Sequence, residues 1–557
     1  MGRAAPGGKK NHSLTPNFTR QPPPQDERRW VSLGSAAPAP NLISDAVIGS
    51  LPAGLSVADR ERIQLATPMS PALAALSALS SARVGARSAE GKALRRQVLR
   101  GAVIVFVTAG YSGKRFIFER AKELGVRSVI LDGPDSWAQA LAADGTIESF
   151  VPLDFGDADT VFDRALAALH AVRRAVGDLD GVCTFCEMAV PLVARLVEAL
   201  GLPGNPPSAV DTARDKSATR TMLEAAGLPS PRHFLISDPS QVAAAGAHVG
   251  FPAVIKPIFG AASIGVVRVN SAAELEATYT RVQKEMASAR IVAGALQQGT
   301  AEDEDEEEGG AGAAAAADAA TPADGKAAPA ASSWIKTTLM LEEYLDGPEV
   351  DVDLVLSEGA AVYGAVTDNW PTVEPYFNET GSNCPSILPL PAQAELVDLA
   401  VKCVTALGFT MGVFHVELKQ TSRGSRLIEV NCRMGGGPVR ATNLLVWGVD
   451  LVEEHLLTAA GIPARPPVSP APLKFIAEYS INAKKTGRVA DADYMGEWTA
   501  HPDVLYARPL VPAGEKVVCV EDGMPTWVAE LMVSKPTVEE AITFVQEIER
   551  SIVIPVE

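Results

Sequence analysis

The 557-residue chain is 47% hydrophobic with a formal net charge of -18, so it can fill two or three packed cores and lacks the basic excess of a nucleic-acid surface. Seven consecutive acids, Glu302 to Glu308, carry part of that charge, and such a run stays solvated. Six scattered cysteines give no disulfide framework, and no apolar stretch reaches bilayer length, so neither nucleic acid nor membrane is an expected partner.

Residues 1–60 are rich in Pro, Ala, Gly and Arg without periodicity and are expected to be disordered. Asp26 and Glu27 interrupt their basic character, so a cytoplasmic location is the expectation and organellar targeting stays open. From residue 101 the pattern alternates. GAVIVFVTAG reads as a buried strand, SGKRFIFERAKELG as a helix, VRSVILDG as a strand, GVCTFC as a strand and MAVPLVARLVEALG as a helix. This alternation predicts a parallel sheet covered by helices. TAGYSGKR fails the Walker phosphate-loop pattern, because Thr108 stands at the first required Gly and Arg115 follows Lys114. Cys183 and Cys186 form a C-x-x-C with no second ligand pair nearby and are read as packing residues.

The next stretch opens with Lys216 at the start of a helix and Arg220 one turn on, for which a solvated helix face is the plain reading. In FPAVIKPIFGAASIGVVRV, Lys256 ends an apolar strand and Phe259 to Gly265 form a small-residue turn. Its backbone N–H groups can lie against phosphate oxygens. Gly299 to Ser333 is low-complexity and reads as a surface insertion within a domain. Beyond it TTLMLEEYLDGPEVDVDLVL runs as a strand through Glu342, Glu343, Tyr344 and Leu345, turns, and leaves through Glu349.

In GVFHVELKQ the residues Phe414, Val416 and Leu418 alternate with His415, Glu417 and Lys419. In SRLIEVNCRMGGG the residues Glu429, Asn431 and Arg433 share one face. TSRGS between the two runs reads as a turn. A hairpin folded about Arg423 places Glu417 opposite Glu429, a like-charge pair that a divalent cation would relieve. Mg²⁺ takes such carboxylates, and Asn431 adds an amide oxygen. An exposed hairpin with ordinary surface charge is the alternative. After residue 470, LKFIAEYSIN and EKVVCVEDG read as strands and TVEEAITFVQEIERS as a closing amphipathic helix.

Taken in order, these elements resemble the ATP-grasp superfamily over roughly residues 100–470. The wording of DNWPTVEPYFNETGSNCPS, GVFHVELK, LIEVNCRMGGG and WGVDLVEEHLL is similar to carnosine synthase and related amino-acid (dipeptide) ligases. The expected fold is therefore α/β and α+β multidomain, an ATP-grasp fold preceded by a Rossmann-like parallel α/β domain. The expected domains are 1–98, largely disordered with some helix; 99–205, Rossmann-like; 206–470, ATP-grasp with the 299–333 insertion; and 471–557, a C-terminal α+β lobe. The resemblance implies ATP and Mg²⁺, with Mn²⁺ as an alternative metal. Lys216 and Lys256 would contact phosphates, and the loop of Phe259, Gly260, Ala261, Ala262, Ser263 and Gly265 would close over them. Glu342 and Leu345 would flank adenine within the hinge that also holds Glu343 and Tyr344, and Glu349 would bind ribose. Glu417, Glu429 and Asn431 would hold the metal, and Arg433 would lie near the transferred phosphate.

The implied reaction joins an amino acid to an amine or a second amino acid through an acyl phosphate, releasing ADP and phosphate. Small-molecule substrates are the expected partners, and a homo-oligomer is allowed. Arg440 is a candidate clamp for a substrate carboxylate, since a guanidinium fork matches that group, with a structural salt bridge as the alternative. Glu379 and Glu187 are further candidates for the cleft. Nothing in the residues selects one acid or amine. A carboxylating or nucleotide-biosynthetic ligase, or a non-catalytic ATP-binding scaffold, are the competing readings.

Overall fold

The computed structural model describes residues 71–297 and 338–557, apart from positions 78, 261, 262, 289, 293, 294 and 492. The disorder expected of residues 1–60 and the insertion 299–333 lie outside the described residues. Strands Val103–Val107, Arg127–Asp132, Ser149–Pro152 and Gly181–Cys183 form one parallel sheet, with Val103–Val107 paired to both Arg127–Asp132 and Gly181–Cys183. All five residues of VIVFV are buried, as a parallel strand covered by helices on both faces requires. The helices Arg115–Glu123, Val161–Val176 and Val190–Leu200 supply that cover.

The described residues before 99 are built onto this domain. Helices Pro71–Ser77 and Ala89–Leu99 contribute Ala72, Val98 and Leu99 to the core that contains Ile104 and Phe106. Asp180 fixes the join, accepting from the backbone N–H of Ala72 at 2.7 Å and of Val103 at 2.9 Å. Arg95, 1% exposed, donates to the carbonyls of Val84, Ala86 and Arg465.

A second, antiparallel sheet contains His233–Ile236, Leu339–Glu343, Ala253–Pro257 and Val267–Val269 in that spatial order. The third sheet has eight strands, in the order Gly424–Asn431, Gly412–Thr421, Glu349–Ser357, Ala360–Asn369, Gly381–Cys384, Phe475–Asn482, Trp527–Lys535 and Val504–Pro509. Phe414, Val416 and Leu418 turn to the core beneath helix Leu390–Ala406, leaving His415, Glu417 and Lys419 on the opposite face. Gly381–Cys384 pairs with Phe475–Asn482, so this sheet runs unbroken across residue 470, where a separate lobe was expected. Four of its strands, Ala360–Asn369, Gly381–Cys384, Val504–Pro509 and Trp527–Lys535, are not marked as strands by the sequence pattern. Six consecutive buried residues in Trp527–Lys535 erase the alternation that marks a half-exposed strand. In EKVVCVEDG only Lys516–Val517 pairs, while the closing helix forms at Val538–Ser551, capped by Thr537.

Candidate active site

The hairpin of Gly412–Thr421 and Gly424–Asn431 forms in the expected register. Glu417 lies directly opposite Glu429, and His415 opposite Asn431, with a bulge after Glu417. The next strand continues both rows, with Asp351 opposite Glu417 and Asp353 opposite His415. One face of three strands thus presents Glu429, Glu417 and Asp351 in one line and Asn431, His415 and Asp353 in the adjacent line. Asp351 and Asp353 were not singled out from the sequence, although EVDVD carries the same period-two signal as the hairpin.

Electrostatics follow from this crowding. Burial, then the Glu429 charge, pushes the Glu417 carboxyl up to about 8. Burial pushes Asp351 up to about 6. His415 answers these charges. Its Nδ1 is 2.9 Å from Asp353 Oδ1 and its Nε2 3.6 Å from Asp351 Oδ2. Burial opposes the charged imidazole, but the two aspartates overcome it and raise His415 to about 10. Asn443 supports Asp353 through a 2.6 Å hydrogen bond. Asn431 Nδ2 donates to Glu417 Oε1 at 3.0 Å, and Arg433 Nη2 reaches Asn431 Oδ1 at 3.3 Å.

The two lysines arrive from different elements. Asp215 caps helix Lys216–Ala225 by accepting from Ala218 N–H. The backbone N–H of Lys216 donates to the Ile258 carbonyl, beside the strand that ends near Lys256. Lys216 and Arg220 are 6% and 0% exposed, so the solvated-face reading is overturned. Lys216 Nζ lies 2.8 Å from Glu429 Oε1, and Lys256 Nζ 2.6 Å from Glu342 Oε1. Arg220 completes the second pair, with Nε 2.7 Å from Glu342 Oε2 and Nη2 donating to the Ile428 carbonyl. Burial would raise the Glu342 carboxyl, but Arg220 and Lys256 hold it at about 2.

Of the loop after Lys256, Phe259 and Gly260 are half-buried, and Ala261 and Ala262 lie outside the described residues. Ser263 and Gly265 adopt the left-handed region, with φ of 57° and 75°. A Cβ on Gly265 would come within 3.1 Å of Met286 Sδ, so backbone angle and packing both favour glycine there. In the hinge, Glu343 pairs with Arg232 and Arg423 at 3.0 and 3.1 Å. Arg268 stacks on the Tyr344 ring at 4.3 Å, Leu345 is buried, and Glu349 lies 3.5 Å from Lys419. Glu379 is exposed and stands near Asp351 and His415.

Arg440 needs correction. Its Nε and Nη2 fork grips both carboxylate oxygens of Asp450, at 2.9 and 3.0 Å, and its guanidinium stacks on Phe116. Asp450 is also held by Arg120 at 2.7 Å, and Arg120 reaches Glu453, which Arg96 grips bidentately. The carboxylate that matches the Arg440 fork is therefore one of the protein's own.

Residues 118–204 match the ATP-grasp N-terminal domain, and residues 249–301 and 312–441 match the ATP-grasp domain. The chain carries the paired domains of the ATP-grasp superfamily. Its relatives include carnosine synthase 1 of Gallus gallus, 34% identical over 400 residues that make up 70% of this chain and 38% of the relative. Alanine–anticapsin ligase of Bacillus subtilis is 25% identical over 283 residues, 49% of this chain and 52% of that one. The chain thus spans well under two thirds of the length of these curated relatives. A solved L-amino acid ligase from Bacillus licheniformis shares the fold, with a TM-score of 0.65 at 21% identity over 82% of this chain and 99% of its own.

Among the described residues no group of three His, Cys, Asp or Glu side chains is arranged to hold a metal ion. Two converging carboxylates and an amide oxygen are nonetheless a hard donor set that suits Mg²⁺, whose remaining positions commonly go to phosphate and water.

Proposed function

We propose that this chain is an ATP-dependent carboxylate–amine ligase that joins an amino acid to an amine or second amino acid and releases ADP and phosphate. The observation that carries the reading is the placement of Glu417 opposite Glu429 on the face that Lys216 reaches from another element, with Lys256 close to Lys216. A polyanion carrying a divalent cation would use both signs of that charge.

In this reading Lys216 and Lys256 neutralise phosphate oxygens, the loop from Phe259 to Gly265 covers them, and the hinge from Glu342 to Leu345 holds adenine, with Glu349 on ribose. Glu417, Glu429 and Asn431 hold Mg²⁺, with Mn²⁺ as a substitute. When bound, the metal would supply charge neutralisation to the nucleotide's phosphates. Arg433 stabilises the charge of the transferring phosphoryl group. The substrate carboxylate attacks the γ-phosphorus, giving an acyl phosphate and ADP. The amine then attacks the acyl carbon, phosphate leaves, and an amide forms with loss of a proton. Arg440 is not assigned as the substrate-carboxylate clamp, because Asp450 occupies its Nε and Nη2 fork.

Phosphate release, measured with Mg²⁺ and then Mn²⁺ across pairs drawn from the twenty amino acids, β-alanine and 4-aminobutyrate, tests the proposal. ADP formation that needs both members of a pair is the expected result. Bicarbonate-dependent ADP formation would move the chain to a carboxylating ligase, and ATP binding without turnover on any pair would make it a scaffold. Sedimentation of the same preparation reports the oligomeric state.

A further inference from the structure

Glu187 comes from the first domain, at the start of a short 3₁₀ turn, Glu187–Ala189, that follows strand Gly181–Cys183. Its carboxylate stands between two guanidinium groups from other parts of the chain. Arg214, the last residue of helix Pro207–Arg214, places Nε 3.0 Å from Oε1 in a hydrogen bond, and Arg433 places Nε 2.9 Å from Oε2 in an ion pair that lacks hydrogen-bond alignment. All three side chains are largely buried, with 11% to 17% exposure. Burial would raise the Glu187 carboxyl, but Arg433 and Arg214 overcome it and hold the group below its usual range, so it is anionic.

The remaining edges of the Arg433 guanidinium are also occupied. Nη1 donates to the Met434 carbonyl at 3.0 Å and Nη2 to Asn431 Oδ1 at 3.3 Å. The Met434 and Asn431 contacts come from the same hairpin, within two residues, and move with it. Glu187 is the contact that another domain supplies. A long guanidinium side chain has several rotamers of similar energy, so an external charge on Nε is what selects one of them.

We infer that Glu187 is a positioning residue, which aims Arg433 at the transferring phosphoryl group and so makes the seating of the first domain part of the assembly of the site. This role rests on the ligase reading given above. Arg214 also holds Glu187, and so keeps it in place when Arg433 engages a γ-phosphate.

The test compares binding of ADP with that of a non-hydrolysable ATP analogue, both with Mg²⁺, by calorimetry on the full chain. Glu187→Gln keeps the shape and removes the charge. It is expected to weaken the analogue roughly tenfold while leaving ADP affinity nearly unchanged, because only the analogue carries the γ-phosphate. Arg433→Met is expected to show the same selective loss, and adding Glu187→Gln to it should cost nothing further. Glu187→Asp, which keeps the charge on a shorter arm, should recover part of the loss and serves if the Gln variant folds poorly.

Equal weakening of both nucleotides by Glu187→Gln, or additive losses in the double variant, would overturn the positioning role and leave the ligase reading intact. Failure of the wild-type chain to bind either nucleotide would overturn both. Normal analogue affinity in Glu187→Gln, beside a loss in Arg433→Met, would also remove Glu187 from the site.

Discussion

Lys216 Nζ rests 2.8 Å from Glu429 Oε1, so a side chain assigned to phosphate neutralises a side chain assigned to the metal. A cation cannot enter beside Glu429 without competing with that ammonium. A phosphate that draws Lys216 away lowers the barrier to the metal, and by linkage the metal does the same for the phosphate. Lys216→Met is therefore expected to bind Mg²⁺ roughly fivefold or more tightly than the wild type in the absence of nucleotide. Calorimetric titration measures it. Lys256→Met is the control, since Lys256 pairs with Glu342 and not with a metal carboxylate. Equal tightening in both variants would point to a general field in place of direct competition.

Glu429→Gln should lower turnover by at least ~10²-fold while leaving the melting temperature within a few degrees of wild type. Near-normal phosphate release would remove Glu429 from the metal set.

Arg220, Glu342 and Lys256 form a buried cluster in which every charge has a partner. Arg220→Met removes two hydrogen bonds to the buried Glu342 carboxylate and one to the Ile428 carbonyl, so it should destabilise the protein by about 3 kcal/mol. Urea unfolding followed by fluorescence gives the value. A neutral result would mean that Lys256 alone satisfies Glu342.

Glu454 supplies a pH dependence. It is 2% exposed, its Oε2 has no hydrogen-bond partner, and burial, then the neighbouring Glu453 charge, raises its carboxyl from 4.5 to about 8. Between those values the folded chain holds a proton that the unfolded chain releases, so stability is full below pH 4.5 and declines until about pH 8. Glu454→Gln should abolish that decline and raise stability at pH 8 by about 1–3 kcal/mol relative to wild type, with little difference at pH 4.5. Thermal melts across the range decide it, and an unchanged slope would show that Glu454 ionises freely in the folded protein.

What the sequence determined by itself was local and periodic. Alternation in GVFHVELK and LIEVNCR, with a turn between them, is enough to set Glu417 against Glu429, because side chains in a strand repeat every two residues and a short turn leaves little freedom of register. The alternation of apolar strands and amphipathic helices from residue 101 likewise requires a parallel sheet. The tertiary structure alone decided which charges meet. Lys216 and Glu429 are 213 positions apart and Arg220 and Glu342 are 122 apart, distances over which no periodicity carries information. Arg440 makes the same point at short range. Its partner Asp450 is ten positions away, but only the packing of the 439–447 and 451–459 helices against the first domain shows that the fork closes there and not on a substrate.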